Sequence, residues 1–184
     1  FFFRIYGIKM NKLIVCYMVE NEEEWLPLTL EATVPYADSI VIVDGGSTDK
    51  TVDIIRDFQQ KYPAKIRLLE NKYQHDSKGA DGKQRNFYLE YLKKEFPEEY
   101  CLVLDADEVP SDYWANNLKS IIEQINLQNP DKYVLANVNM RHTFGNLGYE
   151  DDATPVHFVP CRFFKIHKDL FYQDRSVNLL NDPM

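Results

Sequence analysis

The stretch "SIVIVDGGSTDKTVDIIRDFQQKY" (residues 39–62) runs from β-branched residues, through two glycines and a string of hydroxyls and carboxylates, into a helical repeat. Ile40 to Val43 shows no polar alternation, the pattern of a strand covered on both faces. Gly45 and Gly46 end it, Ser47, Thr48 and Asp49 are cap-type residues, and Val52, Ile55 and Phe58 follow at helical spacing. Upstream, "KLIVCYMV" (Lys12 to Val19) is a second continuous apolar run, and Asn21 is expected to cap a helix with Glu22, Glu23 and Glu24 in its first turn. Downstream, "KIRLLEN" after Pro63 predicts a strand. A helix follows from about Gly82 to Phe96, with Phe87, Tyr88, Tyr91 and Leu92 on one side. "CLVLDADEVP" (residues 101–110) begins as another buried strand. Ser111 starts a helix with Trp114, Leu118, Ile121, Ile122 and Ile125 in one stripe. This βαβαβαβ order predicts a parallel sheet with right-handed crossovers. Beyond about Pro130, "KYVLANVNM" and "CRFFKI" predict further strands in an α+β arrangement.

The 184 residues suffice for one sizeable core, and the chain is expected to be a single domain over 1–184. Residues 1–9 read as an extension ahead of Met10, and the part near the C-terminus is expected to be shortened. Twenty-one basic and 29 acidic residues give a net charge of −8, which argues against broad nucleic-acid binding. An anionic substrate must then be met by a local cationic spot. No stretch approaches the roughly 18 apolar residues of a membrane-spanning helix, which leaves association with a membrane surface open. Cys16, Cys101 and Cys161 form no CxxC pair; reduced, buried thiols are expected, which fits a reducing cytoplasm.

In an open parallel sheet, ligands bind at the carboxyl ends of the strands. Glu20 and Asn21 end the first predicted strand, "DGGSTD" (Asp44 to Asp49) the second, and "DADE" (Asp105 to Glu108) the fourth. Crowded carboxylates need water, a basic partner or a cation to balance them. Asp105 and Asp107, two residues apart, project the same way in extended geometry and offer hard oxygen ligands suited to Mg²⁺ or Mn²⁺. "SKGADGKQRN" (Ser77 to Asn86) supplies Lys78, Lys83 and Arg85 near a helix N-terminus, a spot suited to a diphosphate.

"VIVDGGSTDKT", "GKQRN" and "LVLDADE", in that order and at those spacings, resemble glycosyltransferase family 2. The opening "MVENEEEWLPLTLEATVPYADSIVIVDGGSTDKT" is similar to its lipopolysaccharide-core-type glucosyltransferases. The match runs from about Lys12 to Pro110 and weakens past His142. The resemblance implies the GT-A fold, an α/β Rossmann-like, mostly parallel central sheet with helices on both faces. It also implies metal-dependent inverting transfer from a nucleotide-sugar donor, commonly UDP-linked, to a hydroxyl of a glycan or glycolipid acceptor. At matching positions Asp44 would bond the base, Arg85 would face the base or diphosphate, and Glu20 would lie near the nucleoside. Asp105 would sit near the ribose and metal, Asp107 would ligate the metal, and Lys83 or Arg85 would meet the diphosphate.

The chain departs from the family where a late His-Glu pair is common: "CRFFKI" is followed by "DRSVNLL", with Asn178 and Leu179. Asp174 is the candidate base, with Asp151 and Asp152 as alternatives. His157, or else His142, would complete the metal site. Two rivals stand beside this reading. One is a non-catalytic nucleotide-sugar-binding module, which the missing pair supports. The other is a haloacid-dehalogenase-type phosphatase, because "LVLDADEV" fits its DxDxV nucleophile motif. That motif belongs near a domain start, and this rival leaves "VDGGSTD" without a role.

Overall fold

The computed structural model describes residues 11–128, 134–138, 143–144, 149–150, 161–174 and 176–179. The first half alternates strand and helix: β1 (Leu13–Val19), α1 (Leu26–Thr33), β2 (Ser39–Asp44), α2 (Thr51–Lys61), β3 (Ile66–Glu70), α3 (Ala80–Glu95), β4 (Tyr100–Leu104) and α4 (Asp112–Gln128). Short strands follow: β5 (Leu135–Asn137), β6 (Thr143–Phe144), β7 (Tyr149–Glu150), β8 (Cys161–Lys165), β9 (Leu170–Gln173) and β10 (Ser176–Leu179).

The main sheet has the order β3-β2-β1-β4-β8-β5. β1 pairs in parallel with β2 and β4, and β2 in parallel with β3. β8 runs antiparallel between β4 and β5. The strand order reverses between β1 and β4, which opens a crevice above their carboxyl ends.

Period-two alternation sorts the sheet residues between two cores. Leu13, Val15, Tyr17, Ile40, Ile42, Leu102 and Leu104 pack with Leu26 and Leu30 of α1, Ile55 of α2, and Leu118 and Ile122 of α4. Ile14, Cys16, Val41, Val43, Cys101 and Val103 pack with Tyr88, Leu89 and Leu92 of α3 and with Leu170, Tyr172 and Val177 of the β9–β10 hairpin. Phe163 and Phe164 of β8 go to opposite cores. The continuous apolar runs are thus covered on both faces, and Cys16 and Cys101 are buried, unpaired thiols. Buried polar contacts cross the first core as well: the hydroxyls of Tyr17 and Thr33 share a hydrogen bond of 2.6 Å that ties α1 to β1, and the Thr33 hydroxyl also accepts from that of Tyr36 at 3.2 Å.

Two local expectations are corrected. Asn21 does not cap α1, which starts at Leu26 with Trp25 at its cap position and a proline in its first two residues. Asn21 instead takes a left-handed φ of +58° and gives its side-chain oxygen to Thr48. Phe87 faces outward at 40% exposure. The inner side of α3 carries Gly82, Gln84, Arg85, Tyr88, Leu89 and Leu92. Arg85 therefore joins that buried side.

Candidate functional site

Two loops at the carboxyl ends of β1 and β2 are laced together. The Asn21 side-chain oxygen accepts the Thr48 N–H at 2.8 Å, and the Ser47 hydroxyl accepts the Asn21 N–H at 2.9 Å. The Thr51 hydroxyl accepts the Glu22 N–H at 2.7 Å. The Asp49 carboxylate takes the N–H groups of Glu23 and Thr51, and the Glu23 carboxylate takes that of Lys50. Asp44 is 5% exposed, and its carboxylate accepts the N–H groups of Gly46 and Ser47 at 3.0 and 3.2 Å. That return of the chain needs the φ of +105° at Gly46, a conformation costly for a side chain with a Cβ. Glu20 lies at the same end, with its carboxylate 2.9 Å from His75 Nε2.

α3 brings Arg85 to the crevice. Burial opposes its charge, but Tyr88, Tyr172 and Asp105 outweigh that and hold the guanidinium protonated. Its guanidinium carbon lies 5.7 Å over the Tyr172 ring. Lys83 goes elsewhere: it is exposed, donates to the Ser77 hydroxyl, and lines a groove with Asn71, Lys72, Phe87 and Glu90. Arg85 thus lies within the electrostatic influence of Asp105, while Lys83 lines the groove on α3. Asp174, exposed and at φ +56°, occupies the β9–β10 turn, whose backbone rests on Gly82.

The acidic loop after β4 has a basic partner that sequence reasoning passed over. Arg162 Nη2 of β8 donates to Asp105 Oδ2 and to Glu108 Oε1, each at 2.8 Å. The other Glu108 oxygen accepts the Asp105 N–H at 2.8 Å and closes the loop on itself. Burial and repulsion from Asp105 push the Glu108 carboxyl up, while Arg162 pulls it back. Burial, then Asp107, Asp105 and Asp49, push Glu22 up as well, so the carboxylates of three loops share one field. Asp107 is exposed. The available signal for Arg162 was its charge inside the apolar run "CRFFKI", since a buried cation requires a partner.

The donor chemistry fits a hard divalent cation. Asp105 and Asp107 provide carboxylate oxygens, and among the described residues no group of three or more His, Cys, Asp or Glu side chains forms a complete metal cage. An ion that keeps waters and takes ligand phosphates needs only one or two protein carboxylates. His142, Asp151, Asp152 and His157 lie outside the described residues.

The family model for Glycosyl transferase family 2 matches residues 13–171, from the start of β1 into β9. The chain belongs to glycosyltransferase family 2. Membership in this family gives "VDGGSTD" and "DADE" a common context and sets aside the phosphatase alternative. No curated protein matches the sequence significantly. Among solved structures, S. aureus TarS 1–349 in complex with UDP is similar at 22% identity, over 84% of this chain and 46% of that one, with a TM-score of 0.54. TarS 1–349 in a second structure shares 18% identity over 84% and 47%, at 0.52. The mannosyltransferase PcManGT from Pyrobaculum calidifontis, in complex with GDP-Man and Mn²⁺, shares 23% identity over 61% and 32%, at 0.47. The fold is GT-A. This glycosyltransferase family 2 chain spans less than half the length of each of these structures.

Proposed function

We propose that the protein transfers a sugar, with inversion, from a UDP-sugar to a hydroxyl of a glycan or glycolipid acceptor. What supports this is that Glu20, Asp44, Asp105 and Asp107 stand at or just past the carboxyl ends of β1, β2 and β4, beside the point where the strand order reverses, while Arg85 lies on the buried side of α3. UDP is the nucleotide proposed because TarS, of the same fold, is solved with it. Asp44 serves the base from its buried position at the end of β2, and Glu20 lies at the nucleoside side. Asp105 serves the ribose, and Asp107, with Asp105, holds Mg²⁺ or Mn²⁺. That cation, when bound, supplies positive charge against the leaving diphosphate. Arg85 adds fixed positive charge from a buried position, where it acts more strongly than in water.

The acceptor hydroxyl must lose its proton as it attacks the anomeric carbon, and Asp174 is the proposed base. Its place on the turn that rests on Gly82 supports this, one helical turn from Arg85. The test is a transfer and donor-hydrolysis assay across UDP-sugars, with UDP affinity measured alongside. Asp174→Asn is expected to lower turnover by about 10²-fold with UDP affinity unchanged, because proton removal plays no part in holding the donor. Full activity in that variant would move the base to Asp151 or Asp152. A parent protein that binds UDP-sugars and neither transfers nor hydrolyses them would favour the binding module, as the absent His-Glu pair suggests.

A further inference from the structure

Arg162 is an expensive residue for its position. Its side chain is 10% exposed, and its Nε and Nη1 are buried with no hydrogen-bond partner among the described residues. A guanidinium offers five N–H donors, and here one nitrogen makes both recorded bonds. An apolar residue of similar volume would fill the place at lower cost, because a buried charge with incomplete hydrogen bonding is unfavourable. Packing therefore does not explain it. Its two neighbours, Phe163 and Phe164, already supply the apolar contacts of β8 to the two cores.

What Arg162 does touch is the acidic loop. Asp105, with 42% of its side chain exposed, is reachable by a ligand, yet one of its oxygens already accepts a hydrogen bond from Arg162. We propose that Arg162 is a resident cation that competes with a divalent metal for Asp105, so that metal binds weakly alone and tightly only together with a diphosphate. This rests on the donor-site reading above. A metal arriving alone must draw Asp105 away and leave the buried guanidinium with Glu108 alone among the described residues. A metal arriving with a diphosphate brings its own anionic oxygens and demands less of Asp105. Arg162 is thus a positioning residue: it sets the order in which the site fills and leaves Asp107 as the outward-facing ligand.

The test is binding of Mn²⁺ alone to the full chain, followed by electron paramagnetic resonance, with no nucleotide present. The double variant Arg162→Gln, Glu108→Gln keeps the net charge and removes the hold of the Arg162 guanidinium on Asp105. It should bind Mn²⁺ about tenfold more tightly than the parent, the size expected for releasing one charge-assisted hydrogen bond. Arg162→Lys keeps the competing charge and should stay close to the parent. A folded double variant that binds no more tightly, or an Arg162→Lys protein as tight as the double variant, would overturn the proposal. If the double variant does not fold, Glu108→Gln alone decides: it commits Arg162 to Asp105 and should weaken Mn²⁺ binding, and equal or tighter binding would overturn the proposal. Asp107→Asn separates the two claims. Loss of Mn²⁺ binding there without any gain in the double variant leaves the metal site and removes only the role of Arg162. No loss there removes the metal reading and the proposal with it.

Discussion

Glu22 carries a charge that its surroundings oppose. Burial, and then repulsion from Asp107, Asp105 and Asp49, raise its carboxyl above the ordinary value near 4.5. A carboxyl with a folded pKa above its unfolded one binds its proton more tightly in the folded chain. Its contribution is therefore most favourable below both values, declines as the pH rises from the ordinary value through the raised one, and costs stability above that. Glu22→Gln removes the charge and retains the shape. The variant should melt at a higher temperature than the parent at pH 7.5, and the gain should disappear at about pH 4, near the unfolded carboxylate value. A gain of equal size at both pH values would show that the strain is not electrostatic. Individual side chains of this site differ in how openly the sequence announces them. Asp44, Asp105 and Asp107 follow apolar strands directly, so period-two reasoning places them at strand ends. Arg162 lies 57 positions from the carboxylate it meets, and no local pattern encodes a pairing that depends on β8 returning antiparallel beside β4.

Helix α3 and the β9–β10 hairpin share the second core, where Tyr88 donates a 2.7 Å hydrogen bond to the Tyr172 hydroxyl. Asn86 adds two bonds to the Tyr172 backbone, each 2.8 Å. They also approach closely at Gly82, where an added Cβ would lie 2.8 Å from the Asp174 nitrogen and 3.1 Å from its Cα. Alanine inside a helix gains up to about 1 kcal/mol over glycine, but overpacking against backbone costs about 1–3 kcal/mol. Backbone has no rotamer through which to yield, so the clash outweighs the gain. Gly82→Ala should lower the urea midpoint by the equivalent of about 1–2 kcal/mol and, by displacing the turn that holds Asp174, reduce transfer. An unchanged midpoint would show that the hairpin docks less closely than the structure indicates. The sequence made α2, β2, β4 and α4 legible because their periodicity is uninterrupted. It misread the entry to α1, where Asn21 serves a tertiary contact to Thr48 instead of the helix end, and it placed Phe87 on the inner side of α3. That helix buries polar residues, Gln84 and Arg85, so its apolar pattern alone points the wrong way.

The molecule carries a net charge of −8, and the anionic donor proposed above would have to reach strand ends that carry several of those acidic groups. Two buried arginines, Arg85 and Arg162, offset part of that field from within, at 9% and 8% exposure. Among the described residues no helix is long and apolar enough to cross a membrane. The sheet order places three loops above one crevice, and a nucleotide spanning them would touch Asp44 at one end and the Asp105–Asp107 pair at the other. On the proposed reading, Asp105 and Asp107 would repel a bare diphosphate, and a divalent cation would join the two. Calorimetric titration of the parent protein with UDP, once in Mn²⁺ and once in EDTA, tests this directly. Binding in Mn²⁺ is expected to be at least about tenfold tighter, a difference of about 1.4 kcal/mol. Equal affinity in the two buffers, or no binding of UDP in either, would contradict it.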